Sequence, residues 1–253
     1  MPFSSRSYAN RYIPSNRLPS GVKWLLIATI GISVLSIILA ASRPELSLFG
    51  YFALIPARVV TRFAIWELVT YLFIHGGLFH IVWNMLALWM FGAELERTWG
   101  TARFVRFYFS CGVAAGILVI IAAYLFGGAN VPVVGSSGAI FGLLVAYGVL
   151  FPNQTMLFGF LIPIKTKYFV MIIGAVVLIE SYLSVSARQG ASEAVACVGG
   201  LIAGYLILRG RGLQTRVSTP VLAGYKDWKL RRARRKFEVY MRKKDSNRDR
   251  WVH

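Results

Sequence analysis

The chain has 253 residues, of which 57% are hydrophobic and 15% charged, with a mean hydropathy of +0.60 and a formal net charge of +18. That balance is too apolar for a water-soluble domain of this length and names a bilayer as the solvent. The basic surplus lies mostly at the two ends, where cytoplasmic flanks of membrane helices are basic for topological reasons, so nucleic acid is not expected as a partner.

Residues 1–22 read as a basic cytoplasmic tail holding Arg6, Arg11 and Arg17 with no acid. The apolar run 24–41 that follows is too long for the core of a secretory signal. At a rise of about 1.5 Å per residue it covers most of a hydrocarbon core of about 30 Å, as a retained span would. The connection 42–78 is long and contains no clean span; it mixes Arg43, Arg58 and Arg62 with Phe49, Tyr51, Phe52 and Phe63. Aromatic rings beside charges suit the headgroup boundary, so this stretch is expected to be a partly embedded outer loop.

Five more apolar runs follow, at 79–93, 104–126, 137–150, 168–183 and 194–208. Arg97, Arg103 and Arg106 surround the second connection and Lys165 and Lys167 the fourth, whereas 127–136 carries no charge and the fifth connection holds only Arg188. Basic and charge-poor connections therefore alternate, as the positive-inside rule requires when both termini are cytoplasmic. The expected architecture is an all-α polytopic membrane protein with six transmembrane helices, in a membrane domain spanning 23–208. Residues 209–253 form a second basic cytoplasmic tail, with 15 Lys and Arg against Asp227, Glu238, Asp245 and Asp249.

Polar groups inside a bilayer are costly unless paired, so they are the first functional candidates. His80 and Asn84 lie four residues apart and hence on one helix face, where they read equally as a pair of helix-to-helix hydrogen bonds. Ser137 lies in Gly135-Ser-Ser-Gly138, where an uncharged connection runs into a helix start. Free N–H groups at such a start can stabilise an oxyanion, although Gly138 and Gly142 also form a small-residue packing pair. The last helix carries Cys197 ahead of Gly200 and Gly204, and a lone cysteine in an apolar run usually acts as a small hydrophobe. Helices two, four and six would all run inward from the outer side, so His80, Asn84, Ser137 and Cys197 are expected at one depth. Cys111 and Cys197 both lie in apolar runs, which leaves no disulfide framework or zinc spacing, and neither a metal nor a cofactor is expected.

The order His75-Gly-Gly-Leu-Phe-His80-Ile-Val-Trp-Asn84, then Glu96-Arg-Thr-Trp-Gly100, then Gly-Ser-Ser-Gly and the Gly-Gly-x-x-x-Gly ending at Gly204, resembles the rhomboid intramembrane proteases over about residues 23–208. The resemblance implies a rhomboid-like bundle with a long outer first loop and hydrolysis of peptide bonds in or near a substrate's transmembrane segment. It implies Ser137 as nucleophile, an oxyanion hole of His80, Asn84 and the Ser137 N–H, and Phe141 as an aromatic platform under the base. Gly135, Gly138, Gly200 and Gly204 would be supporting positions. Two departures stand out: the family's Trp-Arg pair is Trp66-Glu67 here, and the position of its catalytic histidine is occupied by Cys197.

A thiol starts near pKa 8.5 and apolar burial raises it, so cysteine accepts a proton from serine poorly. The remaining histidines are His75, His80 and His253, and none of them lies on the last helix. Three readings of Cys197 stand open: an engineered change in an active protease, a natural loss yielding a pseudoprotease that binds client helices, or unrecognised chemistry such as a reversed scheme with Cys197 as nucleophile and His80 as base. A channel or transporter is disfavoured because no acidic residue is expected in the cluster, Glu180 being the nearest.

The tail offers one further partner. Its stretch 226–244 interleaves basic residues with Trp228, Leu230, Phe237, Val239 and Tyr240, a pattern that suits anionic lipid headgroups at about 1 kcal/mol per basic residue, or equally a solvated flank that only fixes topology. A peptide of this tail is expected to bind anionic vesicles in preference to neutral ones. Equal affinity for both would remove lipid recognition from its role.

Overall fold

The computed structural model describes residues 18–42, 48–158, 162–186 and 192–210. Most of the two basic tails, together with Arg43 and Arg188, lies outside the described residues.

The long apolar runs form α1 (Ser20–Ser42), then after the first connection α2 (Phe49–Phe52), α3 (Pro56–Arg62), α4 (Glu67–Thr70) and a 3-10 turn (Tyr71–Phe73). Next come α5 (Leu78–Ala87), a π-helical turn (Leu88–Gly92) and α6 (Ala93–Trp99), which together make one continuous rod, followed by α7 (Thr101–Phe126) and α8 (Ser137–Leu150). A hairpin of β1 (Thr155–Phe158) and β2 (Ile162–Lys165) precedes α9 (Thr166–Ser186) and α10 (Glu193–Arg209). The hairpin departs from the all-helical expectation. Its antiparallel register sets Thr155 against Lys165, Met156 against Ile164, Leu157 against Pro163 and Phe158 against Ile162, within the connection from α8 to α9.

Ser20–Ser42, Leu78–Trp99, Thr101–Phe126 and Thr166–Leu183 are each long and apolar enough to cross a bilayer. The outer helices present large apolar side chains away from the protein, among them Ile38 on α1 and Met171 and Ile179 on α9. In water such faces would be unstable; in lipid they are the expected exterior, and the chain is an integral multi-pass membrane protein.

The long first connection is not a loose loop. Leu54 and Val133 exchange backbone hydrogen bonds of 2.9 and 2.8 Å, and the Ala57 N–H reaches Ala129 at 2.8 Å, so the connection is sewn to the uncharged stretch ahead of α8. Glu67, fully buried, pairs with Arg58 at 2.7 Å and accepts the Ile55 N–H at 2.9 Å. A carboxylate at the second position of Trp66-Glu67 is therefore held by charge from within the same connection. Phe63 and Trp66 remain exposed, as rings at a lipid boundary would be.

A second buried carboxylate closes the other end of the bundle. Glu96 accepts the Gly21 and Val22 N–H groups at 2.7 Å each, and the Thr101 hydroxyl donates to it at 2.6 Å. A helix start leaves its first N–H groups without partners, and here α6 supplies the acceptor that caps α1.

At the centre α7, α8 and α10 pack against one another with little side chain between them. A Cβ on Gly142 would meet Cys111 Sγ at 2.5 Å, and one on Gly138 would meet Ala115 Cβ at 2.5 Å and the Ala196 carbonyl oxygen at 2.9 Å. A Cβ on Gly200 would fall 1.8 Å from the Gly138 carbonyl oxygen, and one on Gly204 would fall 2.9 Å from Gly142. The pairs Gly138/Gly200 and Gly142/Gly204 rise together along the two sequences, so α8 and α10 run parallel.

Because backbone rather than a movable side chain faces Gly200, Gly200→Ala must push the two helices apart. Thermal unfolding in detergent should show a loss of about 3 kcal/mol or more, the upper end for overpacking. A variant as stable as the parent would contradict this contact.

Candidate functional site

Three helix starts meet at one place: His80 in the first turn of α5, Ser137 at the start of α8, and Glu193 at the start of α10. His80 Nε2 lies 3.2 Å from Ser137 Oγ and 2.8 Å from Glu193 Oε1, and the Ser137 hydroxyl also hydrogen-bonds Glu193 Oε1. A carboxylate oxygen only accepts, so the donors follow: Ser137 O–H and His80 Nε2–H both point at Glu193. Ser137 is buried, whereas the Glu193 side chain is 47% exposed and forms the open side of the cluster.

Glu193 corrects the expectation that no acid joins the polar cluster. It lies one residue ahead of the apolar run beginning at Ala194, and so reads in sequence as part of a connection. The structure begins α10 one residue earlier, which puts Glu193 one turn above Cys197 and within reach of Ser137. The four-residue spacing between Glu193 and Cys197 was the available signal.

His75 is a second residue whose part was not read from sequence. The Ser33 hydroxyl donates to the Phe73 carbonyl at 2.9 Å, so it is an acceptor toward His75 Nδ1 at 3.1 Å. His75 Nε2 is then left to accept, and the Ser136 N–H and Oγ lie 3.5 and 3.4 Å away. Burial, reinforced by His80 beside it, pushes the His75 imidazole down to about 4, so the ring is neutral at pH 7. It packs edge-on against His80 with ring centroids 4.9 Å apart. A neutral ring thus ties α1 to the entry of α8 and backs the ring that touches Ser137.

The other candidate positions fall around this triangle. Asn84 is buried one turn along α5 from His80, and its amide nitrogen has no hydrogen-bond partner among the described residues. Cys197 is buried on α10, next to Ala196, whose carbonyl abuts Gly138. Phe141 is half-buried one turn beyond Ser137. Gly200 and Gly204 form the α8–α10 seam rather than the cluster itself. Among the described residues no group of His, Cys, Asp and Glu has the arrangement of a metal site.

Chemically the arrangement offers a serine hydroxyl aimed at a carboxylate, an imidazole N–H beside it, and an unpartnered buried amide. Groups of these kinds can serve as a nucleophile, a proton acceptor and donors for a developing oxyanion.

Residues 62–211 match the family model described as the Rhomboid domain. The chain is 36% identical over 149 residues to the Rhomboid protease GluP of Bacillus subtilis, a match covering 58% of this chain and 26% of that protein. It is 31% identical over 156 residues to RHOMBOID-like protein 1 of Arabidopsis thaliana, covering 61% of this chain and 36% of that one. With mitochondrial Rhomboid protein 1 of Saccharomyces cerevisiae it shares 31% over 135 residues, covering 53% and 38%. The matched stretch thus spans well under half the length of each of these relatives.

Gly135 holds the approach to Ser137 open. Its φ is +108°, and a Cβ there would sit 2.7 Å from His80 Cε1, 2.8 Å from His80 Nε2 and 3.4 Å from Ser137 Oγ. Gly135→Ala is therefore expected to displace His80 and to slow labelling of Ser137 by a fluorophosphonate about a hundredfold, the cost of a displacement near 1 Å at a reacting group. Labelling at the parental rate would show that His80 does not need this space.

Proposed function

The chain belongs to the rhomboid family, and from that membership we propose an intramembrane serine endopeptidase scaffold in which Ser137 is the nucleophile and the missing base histidine leaves the activity impaired. The carrying observation is the 3.2 Å approach of His80 Nε2 to Ser137 Oγ at the start of α8, on a helix packed by backbone contact against the one that bears Cys197. His80, Asn84 and the Ser137 N–H serve as oxyanion donors in this reading, and Phe141 lies beneath the position of the lost base. The Asn84 amide, without a partner among the described residues, supports that role, since a buried donor without a partner is costly unless a ligand supplies one.

The substrates are transmembrane proteins, cut in or near the membrane with water admitted from the outer side. In this reading all six apolar helices cross the bilayer, the shorter α8 and α10 included, and both termini are cytoplasmic. Residues 23–208 form the membrane domain between two basic tails, the second of which lies along anionic lipid. Neither a metal nor a cofactor takes part.

A second reading rests on the same substitution: a pseudoprotease that holds client helices without cutting them. Cys197 is buried in apolar surroundings, where a thiol is a poor proton acceptor.

Cleavage of a model transmembrane substrate separates the two. Cys197→His should raise the rate about a hundredfold to ten-thousandfold, the range of general-base help, and Ser137→Ala in that background should abolish it. Silence of the Cys197→His variant would favour the client-binding scaffold. A parental rate equal to that of Cys197→His would contradict impairment.

A further inference from the structure

We propose that Glu193 is the proton acceptor for Ser137 in this chain, standing in for the histidine that the helix bearing Cys197 lacks. The inference rests on the reading of Ser137 as nucleophile and adds a catalytic residue that neither the family match nor the sequence motifs supply.

The geometry is direct. Glu193 Oε1 receives the Ser137 hydroxyl hydrogen bond without an intervening ring, and the His80 Nε2–H reaches the same oxygen at 2.8 Å. That second bond fixes the carboxylate over Ser137 and leaves His80 3.2 Å from the oxygen that attacks. Cys197 is one helical turn deeper on the same helix and buried, so it lies beneath the acceptor rather than competing for the hydroxyl. The Glu193 side chain is 47% exposed, which gives water a route to it on the open side of the cluster.

The reaction balances with water as the sole co-reactant. Ser137 Oγ forms a bond to the scissile carbonyl carbon, its proton passes to the Glu193 carboxylate, and the carbonyl π pair moves onto oxygen facing His80 and Asn84. The C–N bond then breaks as Glu193 returns the proton to the departing amine, leaving Ser137 acylated. Water attacks the acyl carbon, Glu193 takes its proton, and Ser137 departs with that proton as the free acid forms. A carboxylate is less basic than imidazole and drives the first proton transfer less strongly, which predicts slow rather than absent cleavage.

The test compares the full-length parent, Glu193→Gln, Glu193→Asp, Cys197→His and the Glu193→Gln/Cys197→His double variant, reading substrate cleavage and fluorophosphonate labelling of Ser137, with Ser137→Ala as blank. Glu193→Gln is expected to cut the slow parental cleavage and labelling about tenfold or more while melting like the parent. Glu193→Asp should retain more labelling than Glu193→Gln. With the histidine restored, Glu193→Gln should cost less than about threefold, because a second base has taken over. Equal rates for the parent and Glu193→Gln, or an undiminished loss in the Cys197→His background, would overturn the assignment. Cleavage by Cys197→His with none by the parent would overturn Glu193 as acceptor and leave the nucleophile standing. No labelling of Ser137 in any variant would overturn both.

Discussion

Backbone contact at Gly138 and Gly200 locks α8 against α10 and sets the geometry of the bundle around them. A carbonyl lying where a Cβ would stand leaves no slack, so the two helices are fixed in distance, direction and register at once. In a bilayer, where lipid tails are as apolar as side chains, such close approach rather than hydrophobic burial holds helices together. The parallel register then carries Ser137 and Glu193 to the same end of the bundle, and His80 arrives there from α5. Shift α10 by one turn against α8 and the serine would face an alanine or a cysteine instead of a carboxylate.

Buried carboxylates recur wherever the chain must hold a distant segment. Glu96 caps α1 across 75 residues of sequence, and Glu67 gathers Arg58 and the Ile55 N–H within the first connection. Each is surrounded by donors, which is the condition under which a charge can stand away from water. Glu193 differs from both: it is half exposed, and its two partners are a serine and an imidazole that can themselves react. The contrast separates acids that hold the fold from one suited to chemistry.

Much of this was legible in the sequence, for physical reasons that differ by residue. All six apolar runs fall on helices, four of them long enough to cross a bilayer, because backbone groups that meet hydrocarbon must pair within their own helix. The Gly-Ser-Ser-Gly and Gly-x-x-x-Gly patterns mark close approach because nothing larger fits there. Glu193 was missed since a boundary residue has no periodicity of its own, and its meaning appears only when α10 is docked beside α8. His75 was visible as part of a motif, but its link from Ser33 to Ser136 depends on two segments far apart in sequence. The hairpin ahead of α9 is too brief to show a pattern, and the departure at Trp66-Glu67 makes sense only with Arg58 paired to Glu67.

We read Ser137 as a nucleophile with a carboxylate as its neighbour at the meeting of three helix starts. A structure of the chain in lipid with a fluorophosphonate bound addresses it most directly. The new phosphorus–oxygen bond should lie on Ser137 Oγ, with the phosphonyl oxygen toward His80 and Asn84 and the Glu193 carboxylate still beside the modified oxygen. A phosphonylated group elsewhere, or Glu193 turned out of hydrogen-bond reach with α8 and α10 in place, would contradict it.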